Sequence, residues 1–167
     1  LLQNGGDVNA VSINGFTALH SAAVKGNSDI ARILLARGAN VNHEGKYGDT
    51  PMFMAAASGS VETAKALFER RAEVNTKTKS GQTPLMRAVL NGKSEMVQFL
   101  LKNGADAKTK DNDGKTALSS IGRYCISADA AKALIDGASY DKAGIHEAVL
   151  NAVTGPRDTA SCTALVK

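Results

Sequence analysis

A chain of 167 residues with 43% hydrophobic and 22% charged residues has a globular composition, which excludes the disordered and fibrous classes. Its net charge of +4, from 20 basic and 16 acidic residues, is too small to argue for nucleic acid or an anionic membrane without a clustered patch. The two cysteines, Cys125 and Cys162, suit neither a metal site nor a disulfide framework, no Asn-x-Ser/Thr acceptor occurs, and no apolar run nears the roughly 18 residues of a membrane span, so a reducing cytoplasmic or nuclear setting is expected.

Along the chain one pattern returns every 33 residues: Gly15, Gly48, Gly81 and Gly114, each with a threonine two positions on. Residues 1–9 read as the end of a partial unit, and 10–42 as the first full one. There Thr17 is placed to cap a helix, with Leu19, Ala22 and Ala23 at i, i+3 and i+4 on its apolar face and Gly26 supplying a left-handed end. A second helix is predicted from Ser28 to Arg37, with Ile30, Ile33 and Leu34 on its buried stripe and Gly38 as terminator. The extended segment Ala39-Asn40-Val41-Asn42 then leads to the turn at Tyr47-Gly48.

Units 43–75 and 76–108 repeat this plan. Pro51 and Pro84 follow the capping threonines, where a missing N–H costs nothing. Leu85, Ala88 and Val89 form the third unit's first apolar face, and Met96, Val97, Leu100 and Leu101 its second. Arg71 stands where the neighbouring units have a helix-ending glycine, at a cost of roughly 1 kcal/mol if it turns left-handed. The unit 109–141 is irregular: Cys125 replaces a glycine, and Ala131-Lys132-Ala133-Leu134-Ile135 matches Ala64-Lys65-Ala66-Leu67-Phe68 displaced by one residue. One residue added between its helices and one lost near the end of the second would account for this, with Gly137 back in register. Residues 142–167 read as a truncated unit without its projecting loop, with Ile145 to Val149 opening a helix, a break at Thr154-Gly155-Pro156-Arg157 and a second helix running to Lys167. Both ends cut a unit midway, so the chain reads as a fragment with more repeats or another domain beside it.

The fold expected is therefore an all-α solenoid of thin helix–turn–helix layers with projecting hairpin loops, in which neither helix is long enough to stand alone. Thr50-Pro51-Met52, Thr83-Pro84-Leu85-Met86 and Thr17-Ala18-Leu19-His20 resemble the Thr-Pro-Leu-His signature of the ankyrin family. Leu34-Leu35-Ala36-Arg37-Gly38-Ala39-Asn40-Val41-Asn42 resembles that family's second-helix ending, as does 1–9, and the resemblance covers nearly the whole chain as one domain, 1–167. It implies a monomeric protein–protein interaction module, a scaffold or adaptor, using a concave face and the hairpin tips. It also implies a match of Asn9, Asn42 and Asn75 to a loop asparagine that is hydroxylated in some members, although a turn-stabilising role suffices.

No catalytic site, cofactor or metal site is expected. His146-Glu147 opens like a zinc-protease motif but Leu150 stands where the second histidine belongs, and Asp111-Asn112-Asp113-Gly114 is a partial calcium loop flanked by Thr109 and Ser120 at ligand positions. His20, His43 and His146 occupy different places in the unit, and a hydrogen bond locking the helix start is the plain role for His20.

Candidate partner-binding residues are those the layers do not need for burial. In the first unit these are Val11, Ile13, Asn14 and Phe16; in the second Lys46, Tyr47 and Asp49; in the third Lys77, Lys79, Gln82 and Arg87; in the fourth Lys110, Asn112, Asp113 and Lys115. Lys25, Ser58, Asn91, Arg123 and Tyr124 add helix-end positions. Ile13 and Phe16 suggest an apolar anchor, and Lys77, Lys79, Lys110 and Lys115 suit an acidic partner segment. The plainer alternative is that the lysines solubilise and Phe16 packs on Tyr47. A substrate-recruiting arm of a larger enzyme is the second functional reading. Nucleic-acid or nucleotide binding through the tip lysines is the third and least favoured, because stacking aromatics beside them are few.

Overall fold

The 33-residue period becomes a helix pair laid down again and again. A computed structural model describes residues 6–121, 128–138, 140 and 145–146. Its elements in order are α1 (Ala18–Val24), α2 (Ser28–Ala36), α3 (Pro51–Ser58), α4 (Val61–Glu69), α5 (Pro84–Leu90), α6 (Ser94–Lys102), α7 (Ala117–Ile121) and α8 (Ala128–Gly137). First helices stack on first helices, α1 on α3, α3 on α5 and α5 on α7, while α2, α4, α6 and α8 form a second row. Among the described residues there is no strand, and the projecting loops are turns.

The caps are those the threonines dictate. Thr50 Oγ1 accepts the Phe53 N–H at 3.3 Å, and Thr83 Oγ1 accepts that of Met86 at 3.3 Å, with Pro51 and Pro84 in the first helical turn. The core then repeats by register. Leu19, Met52 and Leu85 are buried one layer apart, as are Ala22, Ala55 and Ala88, and Leu34, Leu67 and Leu100. Alanines between the leucines let successive layers approach closely, so each helix is buried by its neighbours and not by its own length.

Three details of the outer row depart from the sequence expectation. Ile30 and Ile33 are each 48% exposed, and α2 buries Ala31, Leu34 and Leu35 instead. Their counterparts one layer on, Thr63 and Ala66, are buried because α4 has α2 on one side and α6 on the other, whereas α2 has a described helix on one side only. Leu101 is half-buried, not fully covered like Met96, Val97 and Leu100. The second helix of the first unit ends at Ala36, and Arg37 serves as its cap residue.

The irregular fourth unit shows its displacement directly. The helix α4 buries Thr63, Ala64, Ala66 and Leu67, and α8 buries Ala130, Ala131, Ala133 and Leu134, a set moved one residue beyond strict period. The helix runs through Gly137, where a Cβ would come within 2.6 Å of Leu101 Cδ1, so this glycine serves close approach of α8 to α6. Arg71 is left-handed at φ 65°, the sole non-glycine residue with positive φ among those described. Ile145 and His146 are helical, as expected, and His146 is exposed. The inter-helix insertion around Cys125, the break at 154–157, the final helix and Cys162 lie outside the described residues.

Candidate partner-binding edge

Each tip is a short turn closed by one backbone pair. Ser12 N–H donates to the Phe16 carbonyl at 2.9 Å, Gly45 to Asp49 at 2.9 Å, Thr78 to Gln82 at 3.0 Å and Asp111 to Lys115 at 2.8 Å. The recurring glycine is what permits the turn: Gly81 has φ 79°, and a Cβ there would also meet the backbone nitrogen of Asn112 at 2.7 Å. That crowding exists because the tips are bonded to one another. Lys46 N–H donates to the Asn14 carbonyl at 2.9 Å, Lys79 N–H to Tyr47 at 2.8 Å and Asn112 N–H to Ser80 at 3.1 Å. The four tips thus form one hydrogen-bonded line.

The side chains on this line divide into two kinds. Ile13 is 96% exposed, and Asn14, Lys46, Tyr47, Lys77, Lys79 and Lys110 are also exposed. Lys46 Nζ lies 5.8 Å from the centre of the Tyr47 ring, and Lys77 Nζ donates to the Lys110 carbonyl at 3.2 Å. Among the described residues the ion pairs are Arg32–Glu69, Lys65–Glu62 and Lys115–Asp113, so of the tip lysines only Lys115 is paired with a carboxylate. Other candidates also make contacts within the stack. The Phe16 ring stacks on His20 with centroids 5.1 Å apart and lies where a Cβ at Gly45 would be, so it packs on His20 and Gly45, where the plainer alternative put Tyr47. Asn112 Nδ2 donates to the Lys79 carbonyl at 2.8 Å and helps bind one tip to the next. Asp49 and Gln82, both half-buried, close their tips through backbone carbonyls.

His20 fixes the start of α1 and ties it to the next layer. Its Nδ1 accepts the Thr17 N–H at 3.1 Å, and Nε2, which must then carry the proton, donates to the Asp49 carbonyl at 2.9 Å. Burial is the largest influence on the ring and holds its pKa below 6.5, opposed by the Asp49 carbonyl, which favours a proton on Nε2.

Behind the tips, the first helices leave one face less buried. Met54 and Ala57 on α3, and Arg87 and Leu90 on α5, recur at i, i+3 and one layer apart. The Arg87 guanidinium sits over the buried Phe53 ring, its Cζ 5.0 Å from the centroid, and its Nε is enclosed without a protein acceptor. Met54 and Leu90 were not singled out from sequence, although their register with Arg87 was legible. Ser58 and Asn91, expected on the free rim, stitch layers together: Ser58 Oγ donates to the Ala23 carbonyl at 3.0 Å and Asn91 Nδ2 to that of Ala57 at 2.8 Å.

The loop asparagines also reach beyond their own turns. Asn42 accepts the Glu73 N–H at 3.0 Å and donates to the Arg71 carbonyl at 3.4 Å; Asn75 accepts the Asp106 N–H and donates to the Gly104 carbonyl, both at 2.9 Å. Asn9 does the same with Asn40 and Gly38. Each clamps the end of the next layer's second helix, and Lys108 takes this position at the end of the third unit. In the partial calcium loop, Asp111 Oδ1 accepts the N–H groups of Asp113 at 3.0 Å and Lys115 at 2.8 Å, which accounts for its placement as a turn residue. Among the described residues no cluster of three His, Cys, Asp or Glu side chains could hold a metal ion, and no helix is long and apolar enough to cross a membrane. Arg123 and Tyr124 lie outside the described residues.

Two family profiles match the chain. The profile for ankyrin repeats (3 copies) covers residues 1–78, and that for ankyrin repeats (many copies) covers residues 67–119. A comparison with curated proteins gives no match.

Proposed function

Since the chain belongs to the ankyrin-repeat family, whose members are generally protein–protein interaction modules, we propose that it holds a partner protein along the line of tips and the less buried face of α1, α3 and α5. The observation that carries this reading is a row of exposed lysines, Lys46, Lys77, Lys79 and Lys110, fixed by tip-to-tip hydrogen bonds and not neutralised by ion pairs. Rigid presentation lowers the ordering cost of association, and unpaired like charges favour a segment of opposite sign. That chemistry supports a scaffold or adaptor role with an acidic segment in the partner.

The test compares three versions of the protein in quantitative capture from native lysate: the natural chain, one with Lys77, Lys79 and Lys110 changed to Glu, and a control with Arg32 and Lys65 on the second row changed to Glu. All of these positions are exposed, so the fold is expected to survive. Reversing three rim charges should weaken captured partners about tenfold or more, while the control should retain them. Retention of every partner by the rim variant would remove this edge as the site.

A further inference from the structure

The edge is chemically graded along the stack. In the first unit its tip is apolar, with Ile13 96% and Val11 57% exposed. Two layers on, the same two tip positions are Lys79 and Lys77, and the helix behind them carries Arg87. Arg87 differs from the lysines. Its guanidinium sits over the Phe53 ring with Cζ 5.0 Å from the centroid, its Nε is enclosed with no acceptor, and no described carboxylate pairs with it. The half-buried Met54 and Leu90 flank it in register. A planar fork whose Nε is enclosed and whose Cζ lies over an aromatic ring loses less freedom on binding than an exposed lysine, and its terminal N–H groups match the two oxygens of a carboxylate.

Resting on the edge-binding reading above, we propose that the partner supplies an extended segment with two chemically distinct anchors: an apolar side chain seated on Ile13 and Val11, and a carboxylate held by Arg87. Packed helices lie roughly 8–10 Å apart, so two layers separate the anchors by roughly 16–20 Å along the stack. At about 3.3 Å per extended residue the segment needs at least about five residues between its apolar and acidic ends. A helical segment rises only about 1.5 Å per residue and would need about twice as many.

The probes are capped synthetic peptides carrying a Leu pair and a Glu pair joined by a Gly/Ser spacer of about six residues, the same peptide with Gln for Glu, and one with a two-residue spacer. Each is titrated into the ¹⁵N-labelled full chain, and the Arg87 Nε–H resonance is followed with the amides of Ile13 and Lys79. The long-spacer Glu peptide should shift the Arg87 Nε–H and the Ile13 amide together. The Gln peptide should bind about tenfold more weakly, and the short-spacer peptide should shift one anchor and not both. Arg87→Lys keeps the charge but loses the fork, and should weaken the Glu peptide about tenfold with the thermal midpoint unchanged. Rim amides that shift while the Arg87 Nε–H stays still, with Arg87→Lys binding equally well, would overturn the two-anchor inference and leave edge binding intact. No shift with any peptide at millimolar concentration would overturn it as well, whereas edge binding itself is decided by the rim-reversal capture.

Discussion

Replacing Asn75 by Ala isolates what fastens one layer to the next. Its side-chain amide makes two inter-layer hydrogen bonds of 2.9 Å, one to the Gly104 carbonyl and one from the Asp106 N–H. A net hydrogen bond contributes about 0.5–1.5 kcal/mol, and exposure lets water take over part of each, so the pair together should be worth about 1–2 kcal/mol. Asn42 makes the equivalent bonds at 3.0 and 3.4 Å, and its loss should cost less, about 1 kcal/mol. Lys108 provides the internal control: it occupies the same position, has no acceptor in its side chain, and its N–H to Asp106 Oδ1 survives truncation to Ala. Equilibrium urea unfolding measures all three. The expected order of destabilisation is Asn75→Ala, then Asn42→Ala, then Lys108→Ala near zero. The slope with urea should also flatten for Asn75→Ala, because solenoid cooperativity depends on coupling between neighbours. Equal stabilities for Asn75→Ala and Lys108→Ala would refute the clamp.

Arg71→Gly should raise stability by about 0.5–1 kcal/mol and move the urea midpoint up, since the left-handed backbone at φ 65° no longer carries a side chain, offset in part by the freedom glycine gains on unfolding; a lower midpoint would contradict this. His20 binds its proton less readily in the folded chain than in the unfolded one, so unfolding takes up protons and stability should fall as pH drops below about 6.5. His20→Gln should flatten that part of the pH profile, and an unchanged slope would exclude His20 as its source.

Much of the architecture was written in the period itself. Four glycine–threonine pairs fixed where tips turn and helices begin, and the small-residue columns such as Ala22, Ala55 and Ala88 fixed which face is buried. Even the one-residue displacement of the fourth unit could be read by aligning Ala131–Ile135 with Ala64–Phe68. Ile30 and Ile33 misled because helical periodicity identifies an apolar face but not whether a neighbour covers it. The neighbours of Phe16 were not legible for a related reason: His20 and Gly45 are brought to it by the fold of the tips, which spacing along the chain does not encode. The inter-layer roles of Asn42, Asn75, Asn91 and Ser58 were hidden in the same way. A polar side chain at a turn can bond its own backbone or the next layer's, and only the stacking distance decides.

The most direct measurement of the edge as a recognition surface is amide hydrogen exchange on the protein bound to a captured partner. Protection confined to residues 11–16, 44–49 and 77–82 and to the first helices, with α2, α4 and α6 unchanged, is the expected result. Protection on α2, α4 and α6 with the tips exchanging as freely as before would mean that recognition happens on the opposite side.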